Sequence, residues 1–585
     1  MRNNKYKNFA ISVIYILIMI IGINYFSPDN FLTINNNSYY ISALTDSSSS
    51  QESVLENGKK SNISNNSIIS NSSEVNTNII KTMSEKDKQF FCGDNIQGSS
   101  YYVNEFVTPI LCYQPVGLTV DKDNNIWIAS GKSGNILMFD PKNNTFVKTI
   151  QIPNWLPPGK SGSMIWDLKF DKNGDLWFTD ERSNSIWKYF TKENKFENYK
   201  LLTRSGYPLS LVFDSNNNLW FTQVFGKKLG FLEPLKVVNN TTKGISELDL
   251  SKQIKFETMG PISNGFGFSD KDINNNITKS NINETIWFST VSFPVGGQLV
   301  KYDLTEGSLT IHDLTNTHSV PISVAEDENG TLWTNDHASS LFLMLDPKTG
   351  FTKQYSTSNS STANTNTLPY YNEYRDGKIW FNEHYGNAIA YYDIKNKTLV
   401  EYHIPTTNPL WGNASNPLKF TFDNNGSVWF TEWTENKLGV IPKEKLNQIP
   451  ISLSTSKDKM IVDSTNDNGD TIDVFIYKNN LNDTNKVHNS SIGSNESSKP
   501  ANITMFATSS IAKTGLLKNL TSNFSQDLFS ITDVPYSGIG PLQPYITTLE
   551  ISPTENTIPG NYTLTISARY NNDITISKII DLNIQ

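Results

Sequence analysis

Cysteine is nearly absent from this chain: two in 585 residues, Cys92 and Cys112. With no CxxC pair there is no zinc-ribbon or thiol-relay motif. Charge is sparse at 18%, the formal net charge is −8, and no basic run occurs, so the footprint of a DNA- or RNA-binding protein is missing. Histidine is scarce too, with six in the chain. Long apolar runs are confined to one place, Phe9–Phe26.

That run follows Arg2, Lys5 and Lys7. As a helix it would rise roughly 27 Å, near the thickness of bilayer hydrocarbon. Positive charge ahead of it keeps the N-terminus in the cytoplasm and sends the rest outward. Residues 1–27 therefore read as a cytoplasmic tip and transmembrane anchor, with a cleaved signal peptide and secretion as the alternative. Export makes a Cys92–Cys112 disulfide plausible. Residues 28–90 are rich in Ser and Asn and cannot bury enough apolar surface to fold, which suggests a disordered stalk. Asn-x-Ser/Thr sequons such as Asn62 and Asn561 allow glycosylation without implying it.

What the chain has in abundance is aromatic residues: 12 Trp, 25 Tyr and 31 Phe. A Trp closes a short apolar segment at Trp127, Trp177, Trp220, Trp287, Trp333, Trp380 and Trp429, at spacings of 50, 43, 67, 46, 47 and 49 residues. Most copies follow an Asp-x-Asn-Gly or Asp-x-Asn-Asn turn, whose residues supply the positive φ of a tight hairpin. "PLKFTF", "SVWFTE" and "NKLGVI" (417–422, 427–432 and 436–441) parse as three strands, and segments such as "LVEYHIP" supply a fourth. Four antiparallel strands every 45 or so residues mark a β-propeller blade. Seven copies predict a seven-bladed β-propeller over 91–450. The seventh copy lacks a fourth strand, and "YYVNEFVTP" (101–109) can supply it and close the ring. Polar stretches near 236–252 and 270–284 read as rim insertions. Beyond Trp433 there is no further Trp. The alternating segments of 451–585 then predict an immunoglobulin-like β-sandwich, making the fold class all-β.

The repeat, D-x-N-G, then W-F-T-E, then N-x-apolar-Gly, then E-Y-x-I-P, resembles the streptogramin B lyase (virginiamycin B lyase) family of seven-bladed propellers. NHL and SMP-30/gluconolactonase-like propellers share it more loosely. The resemblance covers about 101 to 450. It implies opening of a cyclic depsipeptide by elimination, with a divalent ion such as Mg²⁺. The family's histidines follow the proline that begins the inner strand of late blades. Here those positions read Pro369-Tyr370 and Pro417-Leu418, with Asn416 where an acid would stand and Glu432 near the family's glutamate. Neither Tyr nor Leu abstracts a proton at neutral pH as imidazole does.

Antiparallel return places the start of each inner strand beside the end of the next, so residues just after each Trp should share one rim. Three after Trp stand Ser130, Asp180, Gln223, Thr290, Asp336, Glu383 and Glu432; four after stand Glu181, His337 and His384. Two functions are compatible with this rim. One is a surface propeller binding a small molecule or protein, with Asp180, His337, Tyr370 and Trp411 as ligand contacts. The other is a metal-assisted lyase or lactone-opening enzyme, with Glu383, His384 and Glu432 catalytic, and Asp336, Glu383 and Glu432 holding Mg or Ca. The acids can equally be structural, accepting backbone N–H bonds, and His312, His318, His403 and His488 read as surface or packing residues.

Overall fold

The computed structural model describes residues 85–155, 164–254, 267–269, 284–291, 296–314, 320–358, 366–465, 469–479, 501–531, 534, 544–554 and 556–585. The expected anchor and nearly all of the expected stalk lie outside these residues, as do 270–283. Among the described residues no helix is long and apolar enough to cross a membrane. A helix, Glu85–Cys92, begins inside the stretch expected to be stalk. The chain divides into two compact units, Met1–Lys88 and Gln89–Gln585, and every described strand belongs to the second.

Seven four-stranded antiparallel units succeed one another from 104 to 441, numbered here sheets one to seven in the order of their tryptophans. Each inner strand is followed by a hairpin turn. Asn124, Asn217, Gly174 and Gly426 sit in these turns with φ of 70°, 65°, 82° and 93°, so Asn and Gly are the residue types the backbone calls for. The turn aspartate then locks the tryptophan. Asp423 accepts from Asn425 N, Ser427 N and Trp429 Nε1 at 2.9, 2.9 and 3.1 Å. Asp121, Asp171, Asp214 and Asp327 hold Trp127, Trp177, Trp220 and Trp333 in the same way.

Each tryptophan faces the next sheet. Trp127 packs on Leu168 and Phe178 of sheet two, and Trp177 on Leu219 and Phe221 of sheet three. Trp287 meets Val324 and Leu332 of sheet five, Trp333 meets Ile379 and Phe381 of sheet six, and Trp380 meets Phe420 and Phe430 of sheet seven. Trp429 packs on Leu118 and Ile126, returning to sheet one. Sheets packed face to face in sequence, the last against the first, define a β-propeller.

Closure uses the segment ahead of sheet one. Asn104–Val107 pairs antiparallel with the Lys437–Ile441 strand as the outer strand of sheet seven. The Cys92–Cys112 disulfide brackets that strand. One expectation is corrected: 236–252 is not only a rim insertion, because Ile245–Asp249 is the outer strand of sheet three. Its polar spelling, "ISELD", hid an edge strand that packs inward only through Ile245 and Leu248.

From 451 onward two sheets stack as a β-sandwich. One runs Ile451–Thr455, Asp470–Lys478, Tyr545–Pro553, Leu520–Phe524. The other contains Ile574–Ile584, Gly560–Tyr570, Asn502–Ser509 and Leu528–Ser530, with Lys459–Val462 parallel to the first of these. Ile472, Val474 and Leu549 of one face meet Ile566, Ile580 and Leu582 of the other. The second sheet does not stop at the sandwich. Ile574–Ile584 pairs with Thr398–His403, the outer strand of sheet six, so propeller and sandwich share a nine-stranded sheet.

Candidate ligand site at the inner rim

The Lys378–Glu383 strand ends between Glu383 and His384, and His384 opens the turn beyond it, so the paired side chains reach different neighbours. Asn382 donates to Pro417 O of sheet seven, whereas Phe381 packs against Phe342 of sheet five. Glu383 shares the Phe381 face and lies against Glu401 of its own sheet; Gly386 leaves room for it, since a Cβ there would lie 2.0 Å from Glu383 Oε2. His384 instead stacks on His337 of sheet five, with ring centroids 5.3 Å apart and planes 17° apart.

Tyr370 completes that group, 4.7 Å from His337 and 6.0 Å from His384 by ring centroids. Pro369 and Glu383 are register partners, so strand pairing sets Tyr370 at the same end of sheet six as His384. Both imidazoles are buried. Burial pulls His337 down to about 4, and burial followed by the neighbouring His337 pulls His384 well below the ordinary histidine range. Both rings are neutral at pH 7. The His337 ring lies against the backbone of Leu368 and Pro369, while Nδ1 of His384 has no hydrogen-bond partner. Buried polar atoms of this kind carry an unmet hydrogen-bonding demand.

Sheets two and three contribute a second group at the corresponding end. Glu181, four residues after Trp177, accepts from Met164 N at 2.8 Å and from Trp166 Nε1. Burial raises its carboxyl to about 7, against the opposing effect of Tyr207 and these donors. Burial, followed by the neighbouring Glu181, raises the Tyr207 hydroxyl well above its ordinary range. Deeper in, Lys419 pairs with Asp167 at 3.1 Å and lies over the Tyr371 ring at 4.5 Å. That buried ion pair spans from sheet seven to sheet two past Gly117 of sheet one, where a Cβ would strike Leu168.

The remaining expected residues sit elsewhere. Asp180 caps its own turn, accepting from Arg182 N, Ser183 N and Trp187 Nε1 at 3.1, 3.0 and 3.0 Å. Trp411 stacks on Phe90 and donates to Phe90 O at 2.7 Å, packing the helix before Cys92. Asp336 accepts from Val320 N at 3.0 Å through Oδ1, and its Oδ2 has no partner. Glu432 is fully buried against Glu105 and Lys437, and burial followed by Glu105 raises its carboxyl well above the usual range. Among the described residues no group of three or more His, Cys, Asp or Glu side chains could hold a metal ion, so Asp336, Glu383 and Glu432 do not fit a shared Mg²⁺ or Ca²⁺. Trp166, Tyr207, Glu105, Glu401 and Arg569 were not singled out from sequence. Their roles rest on pairings between distant strands, and only the recurrence of polar residues at outer-strand positions hints at them.

The class this architecture defines is a β-propeller joined to a β-sandwich. No family model matches the chain, and no curated protein matches it. Among solved structures it is similar to a streptogramin B lyase, at 23% identity and TM-score 0.44, over 58% of this chain and 96% of that one. Virginiamycin B lyase from Staphylococcus aureus is similar at 18% identity and TM-score 0.44, over 58% of this chain and 98% of that one. The extracellular domain of a proposed one component system from B. thetaiotaomicron is similar at 13% identity and TM-score 0.41, over 81% of this chain and 57% of that one.

Proposed function

We propose that this chain is a membrane-tethered, extracytoplasmic binding module: a seven-bladed, streptogramin-lyase-like propeller followed by an immunoglobulin-like domain. It takes a small molecule or a surface protein at the inner rim around His337, Tyr370 and His384. The observation that carries this reading is the buried, stacked imidazole pair, with Nδ1 of His384 left without a partner. Neutral imidazole is both donor and acceptor, which suits an uncharged polar group such as a carbonyl or hydroxyl packed between aromatic faces.

An elimination reaction needs a base that reaches substrate and is ready to take a proton. A histidine held well below its usual range is a poor base, and Glu383 is engaged with Glu401. These points favour binding over the metal-assisted lyase or lactone-opening reading. The test pairs a thermal-shift screen of polar small molecules with an ester and lactone turnover screen in Mg²⁺ and Ca²⁺. We expect hits whose shift disappears in His384→Ala and His337→Ala, with the melting temperature of the free protein little changed and no turnover. Turnover abolished by His384→Ala would replace this reading with the enzyme.

A further inference from the structure

Sheets three and seven share a buried device. In sheet three the outer-strand Glu247 pairs with Lys228 at 2.9 Å and accepts from Thr203 N at 2.9 Å. Lys228 begins the third strand and stands opposite Gln223, three residues after Trp220. In sheet seven the outer-strand Glu105 pairs with Lys437 at 3.3 Å and accepts from Thr406 Oγ1 at 2.8 Å. Lys437 likewise begins the third strand, opposite Glu432.

Sheet six repeats every part but the lysine. Glu401 occupies the outer-strand position, opposite Ala390, and accepts from Ser358 N at 2.9 Å. Glu383 stands three after Trp380, and its register partner on the third strand is Ala388. Two buried carboxyls are thus left facing each other, close enough to share a hydrogen bond, with no lysine from their own sheet beside them. A cation does lie nearby, from a different part of the chain. Glu401 is in register with Thr575 of the sandwich, and Thr575 with Arg569. All three therefore share one row on one face of the nine-stranded sheet. Arg569 acts electrostatically on both Glu401 and Glu383. Its Nε lies 3.4 Å from Thr575 Oγ1, whose other neighbour is His403 Nε2 at 2.8 Å.

We propose that Arg569 replaces the lysine that sheet six lacks, so that a charge lock among Glu383, Glu401 and Arg569 holds the β-sandwich on the propeller. Isolated buried carboxylates are strongly disfavoured, and a guanidinium from outside the sheet offsets that only while the sandwich stays docked. Burial and Glu401 raise Glu383 well above the usual carboxyl range, so the lock holds a proton as well as the arginine. His403, in the adjacent row opposite Ala388, is lowered to about 3 by burial and Arg569 and stays neutral.

Tryptic cleavage at the exposed Lys443, between the two domains, reads the lock in the full chain. We expect Arg569→Met to speed release of the C-terminal fragment about tenfold, a weakening of about 1.4 kcal/mol. Adding Ala388→Lys should recover most of that, because it restores the arrangement of sheets three and seven. Glu401→Gln combined with Arg569→Met should be no worse than the more damaging single change, since the pair acts as a unit. A rescue that fails together with additive losses in the double variant overturns the lock, as does an Arg569→Met protein cut at the unaltered rate. If Arg569→Met does not fold, the same comparison runs through Glu401→Gln and Glu401→Gln/Ala388→Lys. There the added lysine should bring no recovery, and recovery would overturn the proposal.

Discussion

Sheets six and seven are neighbours cut to one pattern, and they finish their outer edges in different ways. Sheet seven takes its fourth strand from the segment ahead of sheet one and keeps Lys437 among Asp94, Glu105 and Glu435, at 3.2, 3.3 and 3.6 Å. Sheet six has its own four strands, loses the lysine, and runs on into the sandwich. It also lacks the turn aspartate: six residues before Trp380 stands Tyr374, and the turn reads Arg375-Asp376-Gly377. Sheet seven is therefore self-sufficient in charge, whereas sheet six relies on a distant strand.

The largest expected effect tests the self-sufficient side. Lys437→Met strands the buried carboxyls of Glu105, Glu432 and Glu435 and should lower stability by about 3–5 kcal/mol in chemical denaturation. An effect under about 1 kcal/mol would remove the contrast with sheet six. Next comes the turn. Asp423→Ala deletes three accepted hydrogen bonds and should cost roughly 2 kcal/mol, while Asp376→Asn in sheet six, exposed and at a φ of 51° that Asn also adopts, should change nothing measurable.

The smallest effect is in pH dependence. A carboxyl whose folded pKa is raised binds its proton more tightly folded than unfolded. The associated stability is complete below the unfolded value and is lost as pH rises toward the folded one. Glu383 and Glu432 are both raised well above that range, and burial and its neighbours lift Glu435 to about 7. The melting temperature should fall as pH rises from 5 to 9. Glu383→Gln should remove the part of that fall belonging to sheet six and leave the part belonging to sheet seven. A variant that keeps the full slope would place the titration elsewhere.

Much of the ring was legible because its signals are local. The Asp-x-Asn-Gly turns, the Trp that comes after them and the alternation of each hairpin all lie within a dozen residues. Even the closing strand could be found, since sheet seven was visibly one strand short. The rim histidines were legible as breaks in a repeated position. Other features depend on register between distant strands, and no short motif encodes that. Nothing near Thr398 announces that Ile574–Ile584 will pair with it, and nothing near Arg569 names Glu401. The pairing of Glu383 with His384 as neighbours in sequence was misleading for a related reason: the strand stops between them, and Glu383 meets Glu401 while His384 stacks on His337.

The Cys92–Cys112 bond has a mechanical consequence. Tension entering the compact unit from its N-terminal side reaches Cys92 first and crosses directly to Cys112. The four residues that complete sheet seven lie inside the bypassed loop and carry none of it. Without that covalent shunt, the same pull would act on the Asn104–Val107 strand and peel it from the ring one hydrogen bond at a time.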